Sequence, residues 1–220
     1  MRCHRMNGIS TPNIQLIQDI KMKDLFIILL HGVGSNGEDL EAVGEFLKAN
    51  HSNLNFVAPN APFSFMNSKE AYQWFSIAGV NEENRFSRIK EARAHFDQKI
   101  QEIITQNQLE NHLDKVVFLG FSQGSIMALD AVVSGRWPIA GLISIAGRLA
   151  SPINNEMSKN TKILLIHGES DAVISPTESQ SAYQQMRAAN LNVELNILPA
   201  TGHTISHSAL QLSLDFLNTI

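Results

Sequence analysis

The residues best suited to chemistry are a serine held between glycines, Gly120-Phe121-Ser122-Gln123-Gly124, where an apolar run ends and a helical pattern begins. A serine on a sharp strand-to-helix turn takes strained backbone angles and presents its hydroxyl beyond the sheet. Glycines two residues to either side let strand and helix approach without side-chain collisions. The helix N-terminus beneath it offers free N–H groups and the positive end of a dipole to a developing oxyanion. The chemistry implied is nucleophilic attack on an acyl carbon, with Ser122 as nucleophile and the Gln123 N–H as first oxyanion donor. The same five residues also read as an ordinary tight turn, so the surroundings decide between the two.

Those surroundings contain the other parts such a reaction needs. Leu30-His31-Gly32-Val33-Gly34-Ser35-Asn36-Gly37 follows the first strong apolar run, and its glycines let backbone approach a ligand, which makes the Val33 N–H the second oxyanion donor. A phosphate-cradling loop is the rival reading, but the spacing matches neither dinucleotide nor Walker patterns and no lysine follows the glycines. Folds that use this serine turn place nucleophile, acid and base in that chain order, at the ends of successive strands. Asp171 in His167-Gly168-Glu169-Ser170-Asp171 and His203 in Thr201-Gly202-His203 fall there. His203 would take the Ser122 proton, and Asp171 would orient His203 and stabilise its charged form. Each has a bland alternative. Asp171 is also a good turn or cap residue with Glu169 two positions away as a substitute acid, and His203, preceded by glycine, also reads as a cap of the final helix, with His207 four residues on. His31 is expected to hydrogen-bond within its loop, and His167 to be structural. Asp130 and Asp215 fall inside predicted helices, poorly placed for the acid.

Positioning these residues requires a particular alternation of elements. Apolar runs at Leu25 to Leu30, Leu54 to Pro59, Val116 to Leu119, Gly141 to Ile145, Ile163 to Ile166 and Val193 to Leu198 read as strands. The first, third and fifth are apolar at almost every position, as in a parallel sheet covered on both faces. Helical spacing covers Glu38 to Lys48, Glu82 to Gln108, Gly124 to Val133, Glu178 to Ala189 and Ser208 to Leu217. The pattern predicts an α/β fold, a mostly parallel central sheet with helices on both faces. Residues 1–220 read as a single domain, with residues 1–20 partly irregular. The stretch from Gly147 to Lys162 is too short for a separate cap domain, so an open, shallow site is expected.

With 17 basic and 21 acidic residues among 220, the net charge of -4 does not suggest a nucleic-acid partner. A single cysteine, Cys3, fits a reducing compartment. No apolar run approaches the roughly 20 residues of a membrane span, and no signal peptide is evident, so a cytoplasmic protein is expected. The reading calls for no cofactor and no metal, and leaves room for a homodimer.

Taken together, Leu30-His31-Gly32-Val33-Gly34, Pro59-Asn60-Ala61-Pro62, Trp74-Phe75, the Ser122 motif, His167-Gly168-Glu169-Ser170-Asp171 and Gly202-His203 resemble the carboxylesterases and acyl-protein thioesterases, the phospholipase/carboxylesterase family of the α/β-hydrolase superfamily. The resemblance implies the α/β-hydrolase fold and hydrolysis of carboxylic esters or thioesters, on small molecules or acylated proteins. One departure is Ser76, where the family commonly has aspartate after the Trp-aromatic pair. Between Pro62 and Ile77 the chain places Phe63, Trp74 and Phe75 in a segment without helical or strand period. These are the candidate substrate-binding residues, with packing of the loop as the alternative. A protein of this fold that binds a ligand or partner without turnover is the competing class.

Overall fold

The computed structural model describes residues 24–220; Cys3 and the N-terminal segment lie outside them. The elements are β1 (Leu25–Leu30), a 3-10 turn (Glu38–Leu40) leading into α1 (Glu41–Asn50), β2 (Leu54–Val57), β3 (Phe63–Ser64), β4 (Tyr72–Gln73) and α2 (Arg85–Gln106). A second 3-10 turn (Leu113–Lys115) precedes β5 (Val116–Phe121), α3 (Gln123–Val133), β6 (Gly141–Ile145), β7 (Lys162–Gly168), α4 (Pro176–Ala188), β8 (Val193–Leu198) and α5 (His207–Leu217). Six strands form one sheet in the order β2-β1-β5-β6-β7-β8, and every pairing in it is parallel.

This order creates a switch point. From β1 the chain moves outward to β2, then returns to lay β5 on the other side of β1, with Leu30 opposite Gly120. Connections leaving β1 and β5 therefore diverge at the carboxyl ends of those strands, where open α/β sheets form their ligand crevice. Ser122 and the glycine loop both sit at this point. The strands nearest it are buried along almost their whole length, because apolar cores cover both faces. One core packs Trp74, Phe96, Phe118 and Trp137 beneath α2, α3 and α4; the other packs Leu29, Leu47, Leu119 and Phe216 beneath α1 and α5. Helix α3 is buried at every position, which explains its nearly continuous small and apolar sequence.

Two differences from the sequence expectation have clear causes. Strand β2 stops at Val57 instead of Pro59, since Pro59 has no N–H and the backbone at Ala58 lies against Gly37, where an added Cβ would stand 1.9 Å from the Ala58 carbonyl oxygen. The segment from Pro62 to Ile77 contains a short antiparallel hairpin, β3 with β4. Strands of two residues are too short to show alternation.

Residues 147–161 pack down onto the body. Leu149, Ala150 and Ile153 meet the core, Met157 is buried, and Ser151 donates to Asp130 at 2.5 Å. Asp130, placed by its sequence inside a helix and away from the candidate acid position, is a buried charge hub. Its carboxylate accepts from Arg93 (2.7 and 3.1 Å) and Arg136 (2.9 Å). Burial opposes ionisation of Asp130, but the bonds from Arg93 and Ser151 and the two guanidinium charges outweigh it and hold its carboxyl below the ordinary range.

Two tests follow from this packing. A Cβ at Gly124 would lie 2.1 Å from the Leu30 carbonyl oxygen, whereas one at Gly202 meets nothing within 4 Å. Urea denaturation should show Gly124→Ala losing about 2 kcal/mol or more and Gly202→Ala changing by under about 0.5 kcal/mol. Asp130→Asn should lose about 3 kcal/mol at neutral pH by removing the anion of the half-buried Arg93 and leaving Arg136 with Asp97 alone. Because the folded pKa of Asp130 is depressed, its stabilisation is present above the ordinary carboxylate pKa and is lost as pH falls through the depressed value. The gap between wild type and Asp130→Asn should therefore narrow on acidification.

Candidate active site

Ser122 connects β5 directly to α3 with φ 53° and ψ −116°, a left-handed backbone that a non-glycine residue adopts only when its surroundings enforce it. Enforcement comes from both sides. The Ser122 N–H is held by the Ile145 carbonyl at 3.0 Å, and its carbonyl accepts the Ile126 N–H at 3.1 Å. A Cβ at Gly120 would fall 2.5 Å from the Ser125 Cα, and one at Gly124 would strike β1 backbone. The two glycines of the motif are thus required by backbone-to-backbone approach.

The side chains beyond this turn converge. His203 Nε2 lies 2.9 Å from Ser122 Oγ, and His203 Nδ1 lies 2.7 Å from Asp171 Oδ2. The Asp171 Oδ1 accepts the N–H groups of Val173 (2.8 Å) and Ile174 (2.9 Å). Burial works against the carboxylate, but the His203 bond, the two backbone donors and the nearby His203 charge prevail, holding Asp171 below the ordinary range and therefore ionised at neutral pH. The loops carrying acid and base are joined by backbone. Glu169 N–H donates to Leu198 and Ser170 N–H to Thr201, both at 2.9 Å, and Gly168 leaves no room for a Cβ against the Thr201 carbonyl. Glu169 itself is exposed, with its side chain outside this relay. The capping role considered for His203 belongs to Ser206, whose Oγ accepts the Ala209 N–H at 3.2 Å. His207 opens α5 and packs edge-on against Phe46.

Across from Ser122 lies the glycine loop. A Cβ at Gly32 would stand 3.3 Å from the Ser122 Cβ, which brings the Val33 backbone alongside the serine. Gln123 is the first residue of α3, where the N–H groups of the first turn have no intrahelical acceptor. His31 fixes the loop. Its Nδ1 donates to the Gly32 carbonyl (2.7 Å), its Nε2 accepts the Ala61 N–H (3.0 Å), and its own carbonyl accepts the indole N–H of Trp74 (2.9 Å). Burial pushes His31 below its ordinary pKa despite the bond to Gly32, so the ring stays neutral in the tautomer these partners require. The Asn60 side chain accepts the Gly37 N–H at 2.7 Å, so residues 60–61 brace both ends of the loop.

The side chain of Gln123 has a role the sequence reading missed. Its Oε1 accepts the Trp74 N–H and its Nε2 donates to the Phe75 carbonyl, each at 2.8 Å, clamping the 74–75 segment to the serine turn. A fully buried amide with two backbone partners cannot be recognised in the sequence, since those partners lie nearly fifty residues away. The expectation that Trp74 lines a substrate pocket is corrected: its side chain is 0% exposed, packed on His31 and Phe96. Phe63 and Phe75 do line a groove of about 530 Å³ between the hairpin and α2, together with Pro62 and Ala92 and a polar wall of Arg88 and His95. Ser122 is not among its lining residues; Phe75 belongs both to this wall and, through its carbonyl, to the Gln123 clamp. The site is also less open than the missing cap suggested, for Ser122 is only 7% exposed and the Phe121 ring lies 4.9 Å from that of His203.

Comparison with known proteins agrees with this architecture. Residues 12–220 match the model of the phospholipase/carboxylesterase family, and the chain belongs to that family. It is 30% identical over 200 residues to the esterase YpfH of Escherichia coli K12, covering 87% of this chain and 81% of that one. It is 24% identical over 219 residues to acyl-protein thioesterase 1 homolog 1 of Dictyostelium discoideum, covering 94% and 95% of the two chains. The crystal structure of esterase PE8 superposes with a TM-score of 0.77 at 29% identity, covering 90% of this chain and 93% of that one. The fold is that of the α/β hydrolases. Among the described residues no helix is long and apolar enough to cross a membrane.

Since Trp74 packs inside while Phe75 faces the groove, Trp74→Phe should cost about 1 kcal/mol of stability through the lost indole bond. It should leave the ranking of acyl-chain lengths unchanged in an ester series, whereas Phe75→Ala should alter that ranking.

Proposed function

We propose that this chain hydrolyses carboxylic ester or thioester bonds of acyl substrates, small molecules or acylated proteins, through an acyl-enzyme formed on Ser122. The observation that carries the proposal is the unbroken relay from Ser122 Oγ to His203 at 2.9 Å and from His203 to Asp171 at 2.7 Å. His203 Nε2 takes the serine proton as Oγ bonds to the acyl carbon, and Asp171 stabilises the imidazolium so formed. The N–H groups of Val33 and Gln123 receive the oxyanion of the tetrahedral intermediate. Collapse transfers the His203 proton to the departing alcohol or thiol. Water then enters, gives its proton to His203 and releases the acid as Oγ regains a proton. The groove walled by Phe63 and Phe75 receives the acyl chain, its apolar surface supplying binding and its few polar groups orientation. The whole chain acts as one catalytic domain, and membership of the phospholipase/carboxylesterase family, with relatives named esterase and acyl-protein thioesterase, supports the reaction class. A protein that merely binds through this fold has no need of the full relay.

A fluorophosphonate probe should label the wild-type protein stoichiometrically and leave Ser122→Ala unlabelled; a folded wild type that resists labelling would overturn the assignment. Asp171→Asn and His203→Ala should each lower kcat by about 10⁴ with oxygen esters. Glu169→Gln should stay close to wild type.

A further inference from the structure

His167 is fully buried at the end of β7 and belongs to no step of the reaction above. Its partners define its state. The Nε2 atom lies 2.8 Å from the Ile174 carbonyl oxygen, which can only accept, so Nε2 carries a proton. The same Nε2 lies 3.2 Å from Asp171 Oδ2, the oxygen that bonds His203. On the far side of the ring, Nδ1 meets the Ser179 hydroxyl of α4 at 2.7 Å, which in the neutral ring donates to it. Asp171 consequently accepts three N–H groups, Val173 and Ile174 on Oδ1 and His203 on Oδ2, while the single Nε2 proton of His167 goes to the Ile174 carbonyl. Ile174 closes a ring, giving its N–H to Asp171 and its carbonyl to His167.

We propose that His167 is a positioning residue for the acid, fixing Ile174 and through it the orientation in which Asp171 serves His203. This rests on the proposed function, because it concerns how that relay is set. The His167 N–H holds the Ile174 carbonyl, which steadies the residue whose own N–H Asp171 Oδ1 accepts, and the buried ring stands 3.2 Å from Oδ2. The other acids nearby do not substitute for Asp171. Glu169 is exposed, and Glu178 pairs with Arg148 at 3.1 Å. The remaining neighbours on the His203 side, Ser122 and Phe121, are uncharged at neutral pH.

The test compares His167→Leu, which removes the N–H, with His167→Gln, whose side-chain amide restores a donor at similar reach, and with Ser179→Ala, which frees the ring while leaving it in place. Wild-type probe labelling and ester turnover are measured first; their failure would defeat the functional proposal and not this one. In active protein, His167→Leu should lower kcat by about ten- to a hundredfold with little change in KM, as expected for a displaced catalytic group. Glutamine should recover most of the rate, which a purely packing role would not do. Ser179→Ala should lower kcat as leucine does, by less. If leucine does not fold, the glutamine and Ser179→Ala enzymes decide. Folded variants whose kcat matches wild type, or a glutamine enzyme as impaired as leucine, would overturn the proposal.

Discussion

The contact on which everything else depends is backbone against backbone, where the start of α3 presses on the end of β1. At Gly124 the approach leaves the Leu30 carbonyl oxygen where a Cβ would have to stand, and at Gly120 the turn folds back onto Ser125. Only this closeness lets the chain reverse within a few residues and hold Ser122 at a positive φ of 53°. A looser turn would relax into an ordinary helix start, and the hydroxyl would no longer face the loop from β1 or the histidine beyond β8. The strain at one residue is sustained by a helix buried at every position and by strands buried on both faces, so its cost is spread through the core.

Around that turn, the buried His31, His167 and Gln123 side chains have a partner at each of their polar ends. Three histidines show how burial and partners decide different fates for one side chain. His31 has a carbonyl acceptor on one nitrogen and a backbone donor on the other, which makes it a neutral brace for the glycine loop. His167 is enclosed by a carbonyl, a carboxylate and a hydroxyl. His203 alone remains partly exposed, with a carboxylate behind it and a serine in front. The other two rings are closed off from solvent altogether. Gln123 follows the same economy: its backbone lies in the turn while its side chain satisfies Trp74 and Phe75.

Much of this was legible in the residues. The strands from Leu25 and Val116 are continuous apolar runs because both faces are covered, and the 3.6-residue spacing of Ile89, Phe96, Ile100 and Ile103 placed α2 within a few residues of its ends. Ser122, Asp171 and His203 could be named because each stands at the end of a strand, where side chains must face the crevice. Trp74 was misread for a physical reason: a bulky aromatic in an aperiodic segment fits a pocket wall and a loop anchor equally well, and only its buried indole bond to His31 separates them. The β3–β4 hairpin escaped notice because two residues per strand leave no period to detect, though it ties to the glycine loop through Tyr72.

By itself the sequence determined the alternation of elements, the residue types at the turns and the order of candidate nucleophile, acid and base, since these follow from local periodicity and from glycine's tolerance of close approach. Tertiary structure decided which of Glu169 and Asp171 faces His203, which histidines are enclosed and which side of Trp74 matters. Those outcomes depend on pairings between residues 12, 49 and 32 positions apart: His167 with Ser179, Gln123 with Trp74 and Asp171 with His203. No local pattern encodes a bond whose two ends meet only after the sheet has closed over both.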